Sequence, residues 1–210
     1  MRRWFLVLPV FVMVAAAAVP VTRRFALRTA GRALVVNGPR EAADIVILAI
    51  DADGAGVLEA ADLVHGKRAP RVAVFTDPPD VVDQEFMRRG VPNNSATERE
   101  IRQLKALGVE RVEIIPRAVA GTEDEGVALR SWCDDRAFQS VIVVSTTDHS
   151  RRLARVLHRA MRNHRTRVTV QPSRYSDFDP DRWWETRRGV RTGIVELEKL
   201  LWDVVRHPLW

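Results

Sequence analysis

The sequence predicts an α/β fold with a doubly wound, mainly parallel sheet of about five strands, in the three-layer Rossmann-like arrangement. Two features indicate this fold. Short runs of apolar, β-branched residues recur along the chain without polar alternation, which is typical of strands buried on both faces. Segments with helical spacing of their apolar residues separate these runs. Strands that alternate with helices favour parallel pairing through right-handed crossovers.

The predicted strands are the apolar runs, and each ends at residues that favour a loop. In chain order they span residues 43–50, 71–75, 112–115, 141–144 and 168–170. A loop of small residues follows the first strand at 51–56. Pro78 and Pro79 lie just beyond the second strand and end it, because proline lacks the N–H that a central strand needs.

The predicted helices have recognisable start and stop signals. A capping box of Ser95 and Glu98 opens a helix that ends before Gly108. A second capping box, of Thr122 and Glu125, opens the next helix. Further helices are predicted at residues 57–64, 153–161 and 192–205.

An uncharged, mostly apolar segment spans residues 4–21, and pairs of arginines flank both its ends. Its length of about 18 residues is at the short end for a membrane-spanning helix. The alanine run at 15–18 also offers the Ala-x-Ala geometry of a signal-peptide cleavage site, which leaves a cleaved signal as the alternative. We expect an uncleaved signal anchor in the cytoplasmic membrane, with the N-terminus inside and the domain outside.

This expectation divides the chain into three parts. Residues 1–24 form the signal anchor, residues 25–40 a basic connector, and residues 41–210 a single α/β domain. The formal net charge is +6, but the arginines are scattered and no aromatic motif is interleaved among them. We therefore expect an anionic bilayer surface, and not nucleic acid, as the partner of this charge.

Three residues of special chemistry are assigned to packing. Cys133 is the only cysteine in the sequence, which excludes an intrachain disulfide and a cysteine-rich metal site. We expect it to be a small, semi-buried residue beside Trp132. For Trp183 and Trp184, ligand stacking and bilayer contact remain open, and a place in the core is the preferred interpretation.

The candidate site is the stretch at 145–152, directly after the fourth predicted strand. Three hydroxyl side chains come first: Ser145, Thr146 and Thr147. An acid, His149 and two arginines follow. In parallel sheets, ligands bind at the carboxyl ends of the strands, where helix N-termini offer free backbone N–H groups. The pattern predicts a site for an anionic, phosphate-bearing small molecule, with His149 as acid or base and Arg152 as anion clamp.

A structural interpretation of the same stretch stands beside the functional one. Asp148 is a common N-cap residue, and Arg151 and Arg152 are compatible with solvated charges on the following helix. His149 and Arg152 are three residues apart, so they share one helix face. That shared face favours the functional interpretation.

Five short elements occur in the order found in one bacterial family. They are the boundary between a helix and the next strand at residues 63–70, the tripeptide Gly90-Val91-Pro92, the helix start with Thr122 and Glu125, the stretch at 144–152, and Glu196 near Lys199. With these elements, residues 40–205 resemble the α/β domain of unknown function typified by YdcF, SanA and ElyC. The resemblance implies ligand-binding roles for Thr122 and Glu125, and an orienting role for Glu196 beside His149.

The departures from that family fall at its glycine-rich loops. Residues 48–54, after the first strand, lack the family's glycine run, and Gly56 stands where the family has an arginine. The second strand exits into residues 76–78, where the family has Ser-Gly-Gly. Backbone N–H groups approach a phosphate most closely at residues without Cβ. We therefore expect either a ligand that differs from the family's or a site that has lost binding.

Two other positions have a functional and a structural interpretation. Asp51 and Asp53, at the end of the first strand, offer oxygens to a ligand or a divalent cation, but such residues are more often simple turn formers, and we expect no metal site. Glu196 either turns inward to pair with Arg152 or forms a surface pair with Lys199.

The resemblance to SanA and ElyC implies a role in cell-envelope biogenesis, on peptidoglycan precursors or their lipid carrier. The resemblance to YdcF implies an alternative, a non-catalytic module that binds a nucleotide or S-adenosylmethionine. The sequence specifies neither a cofactor nor whether the chain is an enzyme.

Overall fold

The computed structural model describes residues 20–38, 41–91 and 95–208, which contain five strands and seven α-helices. In chain order the elements are α1 (Pro20–Ala33), β1 (Ile45–Leu48), α2 (Asp53–His65), β2 (Val72–Thr76), α3 (Val81–Arg88), α4 (Ala96–Ala106), β3 (Val112–Ala118), α5 (Thr122–Asp134), β4 (Ser140–Ser145), α6 (Ser150–Ala160), β5 (Arg167–Pro172), a 3-10 helix (Trp183–Glu185) and α7 (Arg187–Arg206). The α/β class predicted from the sequence is confirmed.

The five strands form one sheet in the order β3-β2-β1-β4-β5, and every neighbouring pair is parallel. The predicted parallel sheet is confirmed. The chain builds outward from β1 to β2 and β3, then returns to place β4 on the other side of β1. At such a reversal the loops after the two central strands lead to opposite faces, which leaves a crevice at their carboxyl ends.

Helices cover both faces of the sheet, because the side chains of each strand alternate between two apolar layers. One layer joins the sheet to α5 and α6 through Ile47, Phe75, Val143, Leu129 and Leu153. The other joins it to α2 and α4 through Val46, Leu48, Val74, Leu63 and Leu104. Burial on both faces explains why the strands are continuous apolar runs in the sequence.

Most of the predicted signal anchor, residues 1–19, lies outside the described residues. Within the described ranges, no helix combines the length and the hydropathy that a membrane span requires.

A helix that the sequence did not predict, α1, occupies much of the basic connector. It packs on an apolar cluster formed by Leu34, Phe178 and Trp183, and the indole Nε1 of Trp183 donates to the Leu27 carbonyl at 2.8 Å. A Cβ at Gly31 would lie 2.2 Å from the Pro180 carbonyl oxygen, so only glycine permits this approach. The contact is long-range, which is why local patterns did not reveal it.

The chain after α1 is bound to the start of α6. The carbonyl of Leu34 accepts from the Arg151 N–H at 2.9 Å, and the Val36 N–H donates to Ser150 Oγ at 3.2 Å. The Arg151 guanidinium donates to the carbonyls of Ala33 and Val35. Arg151 therefore holds the connector against the domain, and the interpretation of it as a purely solvated charge is wrong.

Helix α3 was not predicted either. Asp80 and Asp83 form its capping box, but no residue of α3 is buried. Its sequence therefore lacks the apolar core face by which helices are recognised.

Helix α7 begins at Arg187, about one turn earlier than predicted, because Thr186 caps it by accepting from the Gly189 N–H at 3.0 Å.

The three residues that the sequence assigns to packing are buried or partly buried in the structure. Cys133 is fully buried, more deeply than expected, and burial raises the pKa of its thiol to about 11. Trp183 is buried in the cluster with α1, as the preferred interpretation had it, and Trp184 packs at the border of that cluster.

Candidate functional site

A cavity of about 510 Å³ opens at the carboxyl edge of the sheet, beside the ends of β1, β4 and β5. The loops after β1 and β4 contribute Asp51, Asp53, Thr146, Asp148 and His149 to its wall. The first four turns of α7 contribute Arg188, Thr192, Glu196 and Lys199, and residues 175–178 close one side. The cavity therefore lies at the crossover point where ligands of such sheets are bound.

Three helices begin at this cavity. At these helix starts the cavity is lined by Ala52, Asp53 and Ala55 at α2, by Asp148 and His149 before α6, and by Thr186, Arg188 and Gly189 at α7. The residue before α2, Ala52, and the residue before α6, His149, make no side-chain cap. In α6 the Leu34 carbonyl accepts from the Arg151 N–H, and in α7 Thr186 caps the first turn, so the first turn of α2 is the one that offers uncapped N–H groups and the positive end of a helix dipole to an anion in the cavity.

His149 lies at the inner end of the cavity, where it is 1% exposed. Its Nδ1 is 3.3 Å from Glu196 Oε2 and 3.0 Å from Arg152 Nη2. Its Nε2 is 3.4 Å from Thr122 Oγ1 and 3.7 Å from Asp51 Oδ2.

These contacts provide for both tautomers of His149. When the proton is on Nδ1, it is donated to Glu196. When it is on Nε2, Nδ1 accepts from Arg152 and the Nε2–H has Thr122 Oγ1 as its acceptor, with the Asp51 carboxylate nearby. Partners on both ring nitrogens hold the imidazole in one orientation at the cavity.

Glu196 fixes that imidazole from α7. Burial by itself raises the pKa of a carboxyl group, but hydrogen bonds from His149 and Lys199 and the charge of Arg152 outweigh it and lower the pKa of Glu196 to about 2. The Lys199 ammonium is 2.7 Å from Glu196 Oε1, and Arg152 Nε is 3.2 Å from Oε2. Glu196 therefore turns inward to Arg152, as the first interpretation had it, and its pair with Lys199 forms at a buried carboxylate and not on the surface.

Arg152 holds this cluster together and does not line the cavity. Besides Glu196, it donates through Nη1 to Thr122 Oγ1 at 3.0 Å, and its side chain is 15% exposed. His149 and Arg152 share a helix face, as their spacing predicts. The geometry assigns Arg152 the positioning of His149 and Glu196, a different role from the anion clamp expected of it.

The capping box predicted for Thr122 and Glu125 is wrong. Helix α5 is preceded by Gly121, no side chain caps it, and Thr122 is its first residue. The Thr122 hydroxyl instead accepts from Arg152 and contacts His149 Nε2. Glu125 Oε1 accepts from the Ile50 N–H at 2.8 Å, which ties α5 to the loop that carries Asp51. A capping motif and a long-range contact use the same residue types, so the sequence alone did not separate them.

Glu125 itself is 1% exposed, and Oε2 has no hydrogen-bond partner among the described residues. Burial, with a smaller contribution from the charge of Asp51, raises the pKa of Glu125 to about 8. Burial of this side chain behind the cavity wall therefore favours its neutral form.

The three predicted hydroxyl residues separate in the structure. Thr146 lines the cavity. Thr147 Oγ1 donates to the Ser173 carbonyl at 3.0 Å and joins the ends of β4 and β5. Ser145 is fully buried, and its Oγ has no partner in the described part of the chain.

The acids of the cavity wall do not assemble into a group of three metal ligands. In the described ranges the one such group is Glu123, Asp203 and His207, and there Arg159 already pairs with both acids.

Asp148 does not cap α6. Burial raises the pKa of Asp148, and the charge of Glu196 adds to that shift.

Sequence analysis did not place Arg188 or Lys199 at the site, although both line the cavity. Arg188 is highly exposed and pairs with Asp177 at 2.6 Å across the cavity mouth, and Lys199 reaches the cavity beside Glu196. Both belong to α7, which lies far from the sheet loops in sequence. The only local signal was the pair of arginines before Gly189.

Comparison with protein-family models and with curated proteins finds no match to this chain.

Proposed function

We propose that this protein is anchored in the cytoplasmic membrane, holds its α/β domain outside the cytoplasm, and binds a phosphate-bearing small molecule beside His149. The observation that carries the binding proposal is the buried His149, held by Glu196 and Arg152 at a cavity where three helices begin. A polar side chain buried this deeply and oriented from both nitrogens is typical of a functional site.

The cavity offers a phosphate group two kinds of donor. N–H groups of the uncapped first turn of α2 donate to its oxygens, and Arg188 and Lys199 of α7, which pair with Asp177 and Glu196, turn to the anion when it binds. Asp51, Asp53 and Asp148 form an acidic part of the wall. That part accepts hydrogen bonds from the hydroxyl or amine groups of the same ligand.

His149 is the group that exchanges a proton with this ligand. Its Nε2 receives or donates the proton, while Nδ1 stays paired with Glu196 or Arg152. Thr122, Arg152 and Glu196 act through His149 and are positioning residues. This arrangement supports general acid–base chemistry at a phosphate ester or at a neighbouring hydroxyl group.

The cellular role rests on the resemblance to SanA and ElyC together with the apolar segment at 4–21. A protein so anchored acts on envelope precursors or on the lipid carrier that brings them, and both bear phosphate groups. The outward orientation of the domain is tested by fusing to Trp210 a phosphatase that is active only outside the cytoplasm.

The phosphate proposal predicts the effect of removing one cavity charge. Arg188→Ala should weaken pyrophosphate binding by about tenfold, because one charge-assisted contact of the anion is lost. The measurement is isothermal titration calorimetry of the full-length protein in mild detergent. Arg187→Ala is the matched control, because this neighbouring arginine is also exposed but does not line the cavity, and it should bind as the unaltered protein does. Equal affinity in all three proteins, or no binding in any, would contradict the proposal.

A second candidate function, a non-catalytic module for a nucleoside-containing ligand, is favoured by Asp77. This acid directly follows β2, the neighbour of β1, where dinucleotide-binding folds place the carboxylate that bonds the ribose. S-adenosylmethionine, which has a ribose but no phosphate, distinguishes the candidates in the same titration. Binding of S-adenosylmethionine that is lost in Asp77→Asn, without binding of pyrophosphate, would decide for the second.

A further inference from the structure

Helix α7 has a second surface, opposite to the one that meets the cavity. Four large apolar side chains on it are between 54% and 65% exposed: Ile194, Leu201, Trp202 and Val205. Their spacing places them on one side of the helix, whereas Glu196 and Asp203 are buried on the other. We call these four residues the outer α7 face. A contiguous exposed apolar patch of this kind indicates a binding surface.

Helix α1 carries further exposed apolar side chains. Leu27 of α1 and Leu197 and Leu200 of α7 pack on the same cluster around Trp183, so the two helices are neighbours. On α1, Val21 and Phe25 are 77% and 71% exposed. Val21 is also the last residue of the apolar segment at 4–21, so the surface continues directly into the predicted anchor.

Positive charge surrounds the outer α7 face. The exposed arginines of the two helices are Arg187, Arg188, Arg191 and Arg206 on α7 and Arg23, Arg24, Arg28 and Arg32 on α1, of which Arg188 pairs with Asp177 and Arg32 with Asp181. Glu198 is the one exposed acid on α7, and α1 contains none. Glu198 lies on the same side of the helix as Ile194 and Trp202, so the surface combines exposed apolar side chains with one acid, and the arginines outnumber that acid.

Such a surface matches an anionic bilayer better than a protein partner. Tryptophan prefers the interface between lipid headgroups and acyl chains, and arginines next to it are attracted by anionic lipids. A second copy of the chain would bring two arginine-rich faces together, and like charges oppose that contact.

We propose that the outer α7 face and the exposed start of α1 dock on the surface of an anionic bilayer. The inference rests on the anchoring part of the proposed function and adds a second contact to it. The opposite side of α7 lines the cavity with Thr192 and Glu196, so docking fixes the orientation of the cavity relative to the membrane.

The test places an environment-sensitive NBD label at position 202 of the full-length chain, as Trp202→Cys with Cys133→Ser, in vesicles of phosphatidylglycerol that contain a spin-labelled lipid. Val205→Cys provides a second label site on the same face. Lys105→Cys is the control, because this exposed residue lies on α4, against the other layer of the sheet. We expect the lipid to quench the label at 202 and 205 and not at 105.

Reversing the charge of the surface arginines tests the docking proposal independently. Reversing Arg187, Arg191 and Arg206 to glutamate should weaken docking by about a hundredfold, since each arginine near an anionic surface adds to the attraction. The same loss of quenching is expected in vesicles of phosphatidylcholine. Quenching at 202 and 205 no greater than at 105 would overturn the proposal. So would a blue shift that depends on protein concentration in detergent, which indicates a second copy. Release of the chain by alkaline carbonate, with quenching at 202 retained beforehand, would overturn the anchor but support docking.

Discussion

Replacement of Glu196 by alanine is expected to lower the melting temperature of the full-length protein by about 10 °C at pH 7. Glu196 is the shared carboxylate of His149, Arg152 and Lys199. Its removal leaves the largely buried Arg152 guanidinium without a carboxylate, a change that costs about 3–5 kcal/mol in comparable pairs. In a domain of this size, about 1 kcal/mol corresponds to roughly 2–4 °C. Thermal unfolding in mild detergent, followed by near-ultraviolet circular dichroism, measures the shift.

The pH dependence gives this prediction a sign. Because the folded-state pKa of Glu196 is about 2 and its ordinary value is 4.5, the charged carboxylate stabilises the fold fully above pH 4.5, and that stability is lost as the pH falls towards 2. The difference between the two proteins should therefore be largest at pH 7 and smaller at pH 3. Glu198→Ala, an exposed glutamate on the same helix, should melt within about 2 °C of the unaltered protein. A similar shift in both variants would show that the buried cluster contributes no special stability.

The second large effect is expected for Trp183→Ala. Trp183 is 6% exposed, and Gly31 of α1 and Gly193 of α7 lie against its ring so closely that a Cβ at either would be within 3 Å of it. Truncating a buried tryptophan costs about 3–5 kcal/mol, which again lowers the melting temperature by about 10 °C. The bond from its Nε1 to the Leu27 carbonyl is lost as well. We therefore also expect trypsin to cleave after Arg28 faster than in the unaltered protein.

Trp202→Ala is the matched control for this prediction, because it removes the same side chain from a position that is 63% exposed. In detergent its effect on stability should be within about 0.5 kcal/mol. If the two tryptophan variants melted at the same temperature, Trp183 would not be the packing centre that joins α1 to α7.

The strands of the sheet could be predicted from the sequence because the apolar pattern of each one lies within its own few residues. Each strand is buried on both faces, so residues 45–48 and 141–144 are uninterrupted apolar runs. The stretch at 145–152 was recognisable for the same reason, since polar residues follow such a run at once. The pairing of Glu196 with Arg152 was one of two open interpretations, and helical spacing alone could not decide between them.

Features set by distant contacts could not be predicted. Helix α1 is held by Trp183, more than 150 residues away in sequence. Thr122 and Glu125 have the spacing of a capping box, but their side chains bond to Arg152 and Ile50, which only the fold brings near. Arg188 reaches the cavity because α7 begins beside the carboxyl edge of the sheet, and no local sequence pattern predicts that placement.

The central claim, that a phosphate group binds in the cavity against His149, is tested most directly by nuclear magnetic resonance of the protein labelled with ¹³C in its histidine rings. The sequence has five histidines, and His149→Gln identifies the Cε1–H signal of the buried one. His65, exposed at the end of α2, is the internal reference. Addition of pyrophosphate should move the His149 signal in a saturable way and leave the His65 signal in place. A His149 signal that stays fixed while pyrophosphate binds, or that moves only together with His65, would contradict the site described here.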